Sequence, residues 1–274
     1  MRIGHINYLN CLPLTYALTK GIDPNWEIVR DVPAKLNNAI INDKLDISPV
    51  SSIIYAQNAD KLMILPDISI MADGDVQSIY LVSKKPIEQL TSDDMIILTK
   101  QSATSHCLLK IILNKAYHIM PNYEIQTVSP ANIFPSEEAS ATLFIGDDAL
   151  FVNYHRHDDL YYYDLGNEWK KFTGLCMVFA VWVVRKQIAQ IHHDEVLHVE
   201  NFIRRGFVQG FINRHEAITS LAKDKLFSYA QLDEYLHVIQ WKLGNEQLKA
   251  LSLFYRYAHE LNLIDKIPPL TIFK

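Results

Sequence analysis

The segment SIYLVSKKP (78–86) is a short apolar strand that stops on two lysines and a proline, and CMVFAVWVVR (176–185) is its counterpart far downstream, also ending on a basic residue. Between them lies a block of roughly a hundred residues, the size of a small domain. That block has its own strand–helix rhythm, with strands at 95–99, 123–128, 142–145 and 160–164 and a helix from near Thr104 to about Ala116. The same rhythm precedes Ser78, with strands at 2–6, 26–32 and 45–47 and helices from Pro13, over 33–41 and over 53–57. Alternation of this kind predicts parallel sheets covered by helices. Beyond Arg185 the pattern is helical: Leu248, Leu251, Tyr255, Ala258 and Leu261 recur at helical spacing, with Asn245 as N-cap. The economical architecture is α/β with one lobe inserted into another. Residues 1–84 and 180–274 form the first lobe and 85–179 the second, and the two quoted strands cross between them as hinges beside a central cleft.

Composition narrows the function. The 274 residues carry 49% hydrophobic and 21% charged side chains, ordinary for a chain with a sizeable core. A net charge of −5 and short, scattered basic spots at Lys84-Lys85, Lys170-Lys171 and Arg204-Arg205 argue against nucleic acid as a partner. Cys11, Cys107 and Cys176 are too few and too widely spaced for a disulfide framework or a zinc site. Met1-Arg2 runs directly into strand-like sequence without the apolar core of a secretory signal, and Leu175–Val184 is too short for a bilayer span. A cytoplasmic protein with no membrane partner is the expectation. HExxH, P-loop and GxGxxG patterns are absent, which argues against zinc hydrolysis and nucleotide binding.

The residues with chemical potential lie where strands hand over to helices. Ligands of open parallel sheets bind beyond the carboxyl ends of the strands, where free N–H groups favour anions. GHINYLNCLPL (4–14) brings Asn7 and Asn10 to such a junction, DISPVSS (46–52) brings Ser48, Ser51 and Ser52, and LTKQSATS (98–105) brings Ser102, Thr104 and Ser105. IGDD (145–148) adds Gly146, which permits close backbone approach, with Asp147 and Asp148 behind it. At any one junction, helix capping accounts for such residues. Convergence of several from two lobes is what capping alone leaves unexplained. His155, His157, Asp158 and Asp159 read as a solvated loop rather than metal ligands, and Cys107 as a small buried hydrophobe.

GHINYLNCLPL, DISPVSSIIYA, SIYLVS, QSATS, IGDDAL and YDLGNEWKKFTGLCMVFAVWV follow one another in an order and spacing that resembles the chorismate dehydratases of the futalosine route to menaquinone. The likeness runs from Arg2 to about Arg185; the helical C-terminal third matches only in general character. It implies a two-lobed, type II periplasmic-binding-protein fold without a secretion signal. The implied activity converts chorismate to 3-[(1-carboxyvinyl)oxy]benzoate and water, with no metal or organic cofactor. By the same resemblance Asn10 and Ser78 are the catalytic positions. Ser51, Thr104 and Ser105 would bind substrate carboxylate, and Ser102 and the Gly146-Asp147 turn would line the same cleft. Cys176 stands where that family usually has proline. Its motifs offer no evident protein base apart from Asp147 and Asp148, so the enolpyruvyl carboxylate of chorismate itself is the expected proton acceptor. Three other functions remain open: a non-catalytic carboxylate-binding protein, the sister naphthoate-forming enzyme of the same pathway, and a ligand-sensing domain.

Overall fold

The two strand–helix blocks build two separate five-stranded sheets. The computed structural model describes residues 1–221 and 226–274. The first block runs β1 (Arg2–Ile6), α1 (Leu12–Thr19), β2 (Glu27–Asp31), α2 (Pro33–Ile41), β3 (Ile47–Ser51), α3 (Ser52–Gln57) and β4 (Leu62–Ala72). The second runs β5 (Ile79–Ser83), β6 (Met95–Thr99), α4 (Thr104–Lys115), β7 (Asn122–Gln126), β8 (Ala139–Ile145), α5 (Gly146–Tyr154), β9 (Tyr161–Asp164) and α6 (Leu165–Thr173). The chain then returns through β10 (Met177–Arg185) and continues as α7 (Lys186–Ile191), α8 (His193–Ile212), α9 (Arg214–Leu221), α10 (Tyr229–Val238) and α11 (Asn245–Glu260).

Both sheets share one plan. The first has the order β2-β1-β3-β10-β4 and the second β7-β6-β8-β5-β9. In each, three parallel strands are followed by one antiparallel strand that has just arrived from the other block: β10 in the first, β5 in the second. These arriving strands are flanked on both sides and buried along almost their whole length. That explains why they read as unbroken apolar runs rather than alternating ones.

The arriving strands lie within their sheets and do not cross between them. Ile79–Ser83, assigned from sequence to the first lobe, pairs with β8 and β9 of the second sheet. Val183 and Val184 pair with Ser48 and Ile47 deep in the first sheet. The passages between sheets are the short stretches 73–78 and 174–176. We propose these, in place of 84/85 and 179/180, as the lobe boundaries. Asp164 ties the first passage to the second block: its carboxylate accepts N–H bonds from Val76 and Gln77 in the passage and from Gly166 and Asn167 at the start of α6. At the other passage, the Cys176 carbonyl accepts the Trp169 indole N–H at 2.9 Å.

One strand escaped the sequence reading. LMILPDISIMA (62–72) contains Pro66, which lacks an amide donor, and Asp67 in the left-handed region at φ 59°. Both are tolerated because β4 is a sheet edge and its pairing with β10 shifts register around them. The C-terminal chain covers that edge. Ile64 exchanges backbone hydrogen bonds with Thr271 and Phe273 at 2.8 Å each, and Met71 with Gln240 at 2.9 Å. The N-cap of α11 is Gly244 rather than Asn245, because the Gln247 side chain reaches back to accept the Gly244 N–H at 2.9 Å. The helix α11 then lies against both blocks: Tyr255 donates to the Ser52 carbonyl at 2.8 Å, and Phe254 meets Trp169 edge-on.

Candidate functional site

A narrow cleft of ≈ 70 Å³ lies where the two sheets face each other. Asn10, Ser51, Ser78, Ser102, Thr104, Ser105 and Gly146 all line it. Polar junctions as far apart in sequence as Asn10 and Gly146 therefore converge. Asp147 does not line the cleft. Its carboxylate turns aside to accept the Leu9 N–H at 3.2 Å, and with Asp148 it borders a different surface hollow. The Asp148 carboxyl is pushed up by burial and by its Asp147 neighbour.

The remaining lining is apolar: Ile6, Pro33, Pro49, Ile70, Val76, Ile79, Ile145, Phe179, Ala180 and Ile239, together with Tyr8. No carboxylate, imidazole, amine or guanidinium is among the lining residues. A flat carbon ring fits such walls, and polar groups of a ligand must find hydroxyls and amides.

The hydroxyls are poised in one direction. The Ser51 Oγ accepts from the Asn37 Nδ2–H at 3.1 Å, and the Thr104 Oγ1 accepts from the Ile53 N–H at 3.2 Å. The Ser105 Oγ accepts from the Ser102 hydroxyl at 3.0 Å, whose oxygen in turn accepts the Ser105 N–H at 3.3 Å. A hydroxyl has one hydrogen to give. With an acceptor position of each already filled by a protein donor, Ser51, Thr104 and Ser105 keep their hydrogens for the cleft. Thr104 and Ser105 also open the twelve-residue helix α4, whose first N–H groups and positive dipole end favour an anion at the same place. The set is complementary to a carboxylate.

Asn10 and Ser78 are held differently. The Asn10 side-chain oxygen is buried and has no hydrogen-bond partner among the described residues, while its backbone carbonyl accepts the Trp241 indole N–H at 3.1 Å. An unpaired buried carbonyl oxygen costs about 1–3 kcal/mol, so it calls for a donor from a ligand. Ser78 is 3% exposed, lies 3.3 Å from the Val76 carbonyl that accepts its hydrogen, and also bonds the phenol of Tyr235, whose acidity burial suppresses.

Tyr8 closes the mouth. Its phenol, pushed up by burial and then by the charges of Asp147 and Asp148, donates to the Gln101 side-chain oxygen at 2.6 Å across the cleft. Its ring presses on Gly146, which sits at φ 61° and where a Cβ would stand 2.9 Å from the ring. Glycine is required there on both counts. Tyr8–Gln101, Leu9–Asp147 and Ile53–Thr104 are all bonds between lobes, so the cleft is closed. Sequence reading missed Tyr8, Asn37, Tyr235 and Trp241. Asn37 was within reach, since Leu36, Asn37 and Ile40 form the buried face of α2. Tyr235 and Trp241 lie in the C-terminal third, where no motif points to the cleft.

Among the described residues no group of three or more His, Cys, Asp or Glu side chains is placed to hold a metal ion. No helix is long and apolar enough to cross a membrane.

Comparison with known proteins agrees with this geometry. The family described as menaquinone biosynthesis matches residues 1–260. A chorismate dehydratase of Thermus thermophilus is 30% identical over 199 residues, covering 68% of this chain and 70% of that protein. In structure the chain is similar to an Archaeoglobus fulgidus protein, with a TM-score of 0.76 at 20% identity over 96% of this chain and 98% of the other. It is also similar to the periplasmic aliphatic sulphonate binding protein of Escherichia coli, with a TM-score of 0.70 at 14% identity over 100% and 92%. The fold is that of the two-lobed periplasmic binding proteins.

Proposed function

The chain belongs to the menaquinone-biosynthesis family, and we propose that its cleft dehydrates chorismate to 3-[(1-carboxyvinyl)oxy]benzoate. The observation that carries this reading is the meeting of hydroxyls with uncommitted hydrogens and the unpaired oxygen of Asn10 in one apolar cleft. Chorismate has two carboxylates for the donors, a ring for the apolar walls and a C4 hydroxyl whose hydrogen suits Asn10.

The chemistry asks little else of the protein. Removal of the ring C3 proton leaves an electron pair delocalised through the adjacent double bond into the ring carboxylate, which the hydroxyls and the start of α4 stabilise. That pair then forms the C3–C4 double bond as the C4–oxygen bond breaks, and the ring becomes aromatic. The proton taken from C3 leaves with the hydroxide as water, so nothing is oxidised or reduced and no cofactor is required. Because the cleft lining holds no titratable acid or base other than Tyr8, whose raised pKa makes it a poor base, the enolpyruvyl carboxylate of the substrate is the proton carrier. Ser78 and Asn10 orient the substrate and hold the departing hydroxyl. In the closed cleft this exchange is shielded from bulk water.

Purified protein mixed with chorismate, followed by chromatography, tests the reading. Formation of the benzoate supports it. Chorismate that stays unchanged at high protein concentration would leave a carboxylate-binding protein of the same fold.

A further inference from the structure

The side-chain amide of Asn37 makes two bonds to one residue. Its Oδ1 accepts the Ser51 backbone N–H at 3.0 Å, and its Nδ2–H donates to the Ser51 Oγ at 3.1 Å. Asn37 is 5% exposed, on the inward face of α2, and does not itself line the cleft. The backbone N–H can only donate, so it settles which end of the amide faces it: the oxygen. The NH₂ end is then forced onto the Ser51 hydroxyl oxygen, which must accept. Among the described residues the Ser51 Oγ donates to no protein group, so its hydrogen is left for the cleft.

We propose that Asn37 is a positioning residue that occupies one lone pair of the Ser51 hydroxyl and leaves its hydrogen free to donate to a substrate carboxylate. The inference rests on the reading of this cleft as a chorismate site. It assigns specificity to a side chain that never touches the ligand. With one lone pair taken by Asn37 and its hydrogen uncommitted, Ser51 is biased towards an acceptor on the ligand, of which a carboxylate is the strongest.

Asn37→Asp tests this with almost no change in shape. At pH 8 the carboxylate accepts from both the Ser51 N–H and the Ser51 hydroxyl, which turns the hydrogen away from the cleft. The KM for chorismate should rise by roughly tenfold to a hundredfold, the equivalent of a lost hydrogen bond to a charged group. As the pH falls and the introduced carboxyl gains a proton, it regains an O–H donor for Ser51, and KM should return towards the wild-type value measured at the same pH. In a Ser51→Ala background the Asn37→Asp change should add little to KM. Asn37→Ala is the second variant, expected to raise KM without recovery in acid. An unchanged KM in either single variant, or a raised KM in Asn37→Asp that acid does not restore, overturns the proposal. Wild-type protein that fails to bind chorismate would overturn the functional reading and this inference together. Normal wild-type turnover beside an indifferent Asn37→Asp would overturn the inference alone.

Discussion

Asn10 and Ser78 line the cleft with groups that are poor bases at neutral pH, so in the proposed reaction their contribution would lie in hydrogen bonds placed where charge and the leaving hydroxyl develop. Removing one such group typically costs about 2.7–4 kcal/mol of transition-state stabilisation. Asn10→Ala and Ser78→Ala should therefore lower kcat by two to three orders of magnitude at roughly that cost, with chorismate still bound and thermal melting little changed. Loss of stability and affinity together would mark both as structural residues. A different residue governs the response to acid. His5 is buried, and its Nε2–H donates to Thr15 at 2.7 Å because the Thr15 hydroxyl already donates to the Cys11 carbonyl. Its Nδ1 is buried without a partner among the described residues, and burial, then the Arg30 charge, push the imidazole down to about 3. A lowered histidine contributes stability that is complete above about 6.5 and is lost as pH falls towards its folded value. Asp164, pushed up to about 6 by burial against its backbone N–H bonds, has the opposite sign: its contribution fades as pH rises through 6. The measurement is therefore the difference in unfolding free energy between wild type and His5→Gln, which should shrink between pH 6.5 and 4.5 by up to about 1.4 kcal/mol per unit. A constant difference would contradict a neutral, buried His5. At this scale the sequence displayed the cleft's hydroxyls well, since polar residues at strand ends stand out. It hid what those partners do: Asn37 shares a helix face with Leu36 and Ile40, but nothing local shows that Ser51 stands beside it.

At the scale of elements, α4 opens the proposed anion site. Its first two residues present hydroxyl hydrogens beside free N–H groups, and Thr104 also accepts from Ile53 on the opposite lobe. Thr104→Val combined with Ser105→Ala keeps the shape and removes both hydroxyls, and should weaken chorismate binding by about 1–3 kcal/mol in calorimetry. Unchanged affinity would reduce the pair to ordinary helix-start residues. The elements themselves were largely legible, since β1, α2 and β6 follow directly from apolar periodicity and Pro33 at a helix start. What failed was membership. SIYLVS is plainly a strand, yet nothing local says whether it pairs in the sheet it leaves or the one it enters; that is settled by β8 and β9, which follow it by sixty residues or more. The edge strand β4 escaped for a local reason: Pro66 and Asp67 break the strand pattern, and the sheet edge tolerates them.

For the molecule as a whole, two lobes are joined by short passages and held shut by bonds at Tyr8, Leu9 and Thr104. Entry of substrate requires these to break, with 73–78 and 174–176 taking up the motion while α11 limits its extent. As the free cleft is already shut, small-angle scattering should show an unchanged radius of gyration once a substrate analogue is bound; a smaller value with binding confirmed would mean that the free protein rests open in solution. The central claim, that this cleft turns chorismate into an aromatic product, is tested most directly by a proton NMR time course on chorismate with wild type and an Asn10→Ala/Ser78→Ala variant run side by side. The account predicts aromatic ring signals growing as chorismate disappears with wild type, and chorismate persisting with a variant that melts normally. Absence of aromatic signals with wild type, or equal rates for the two proteins, would contradict it.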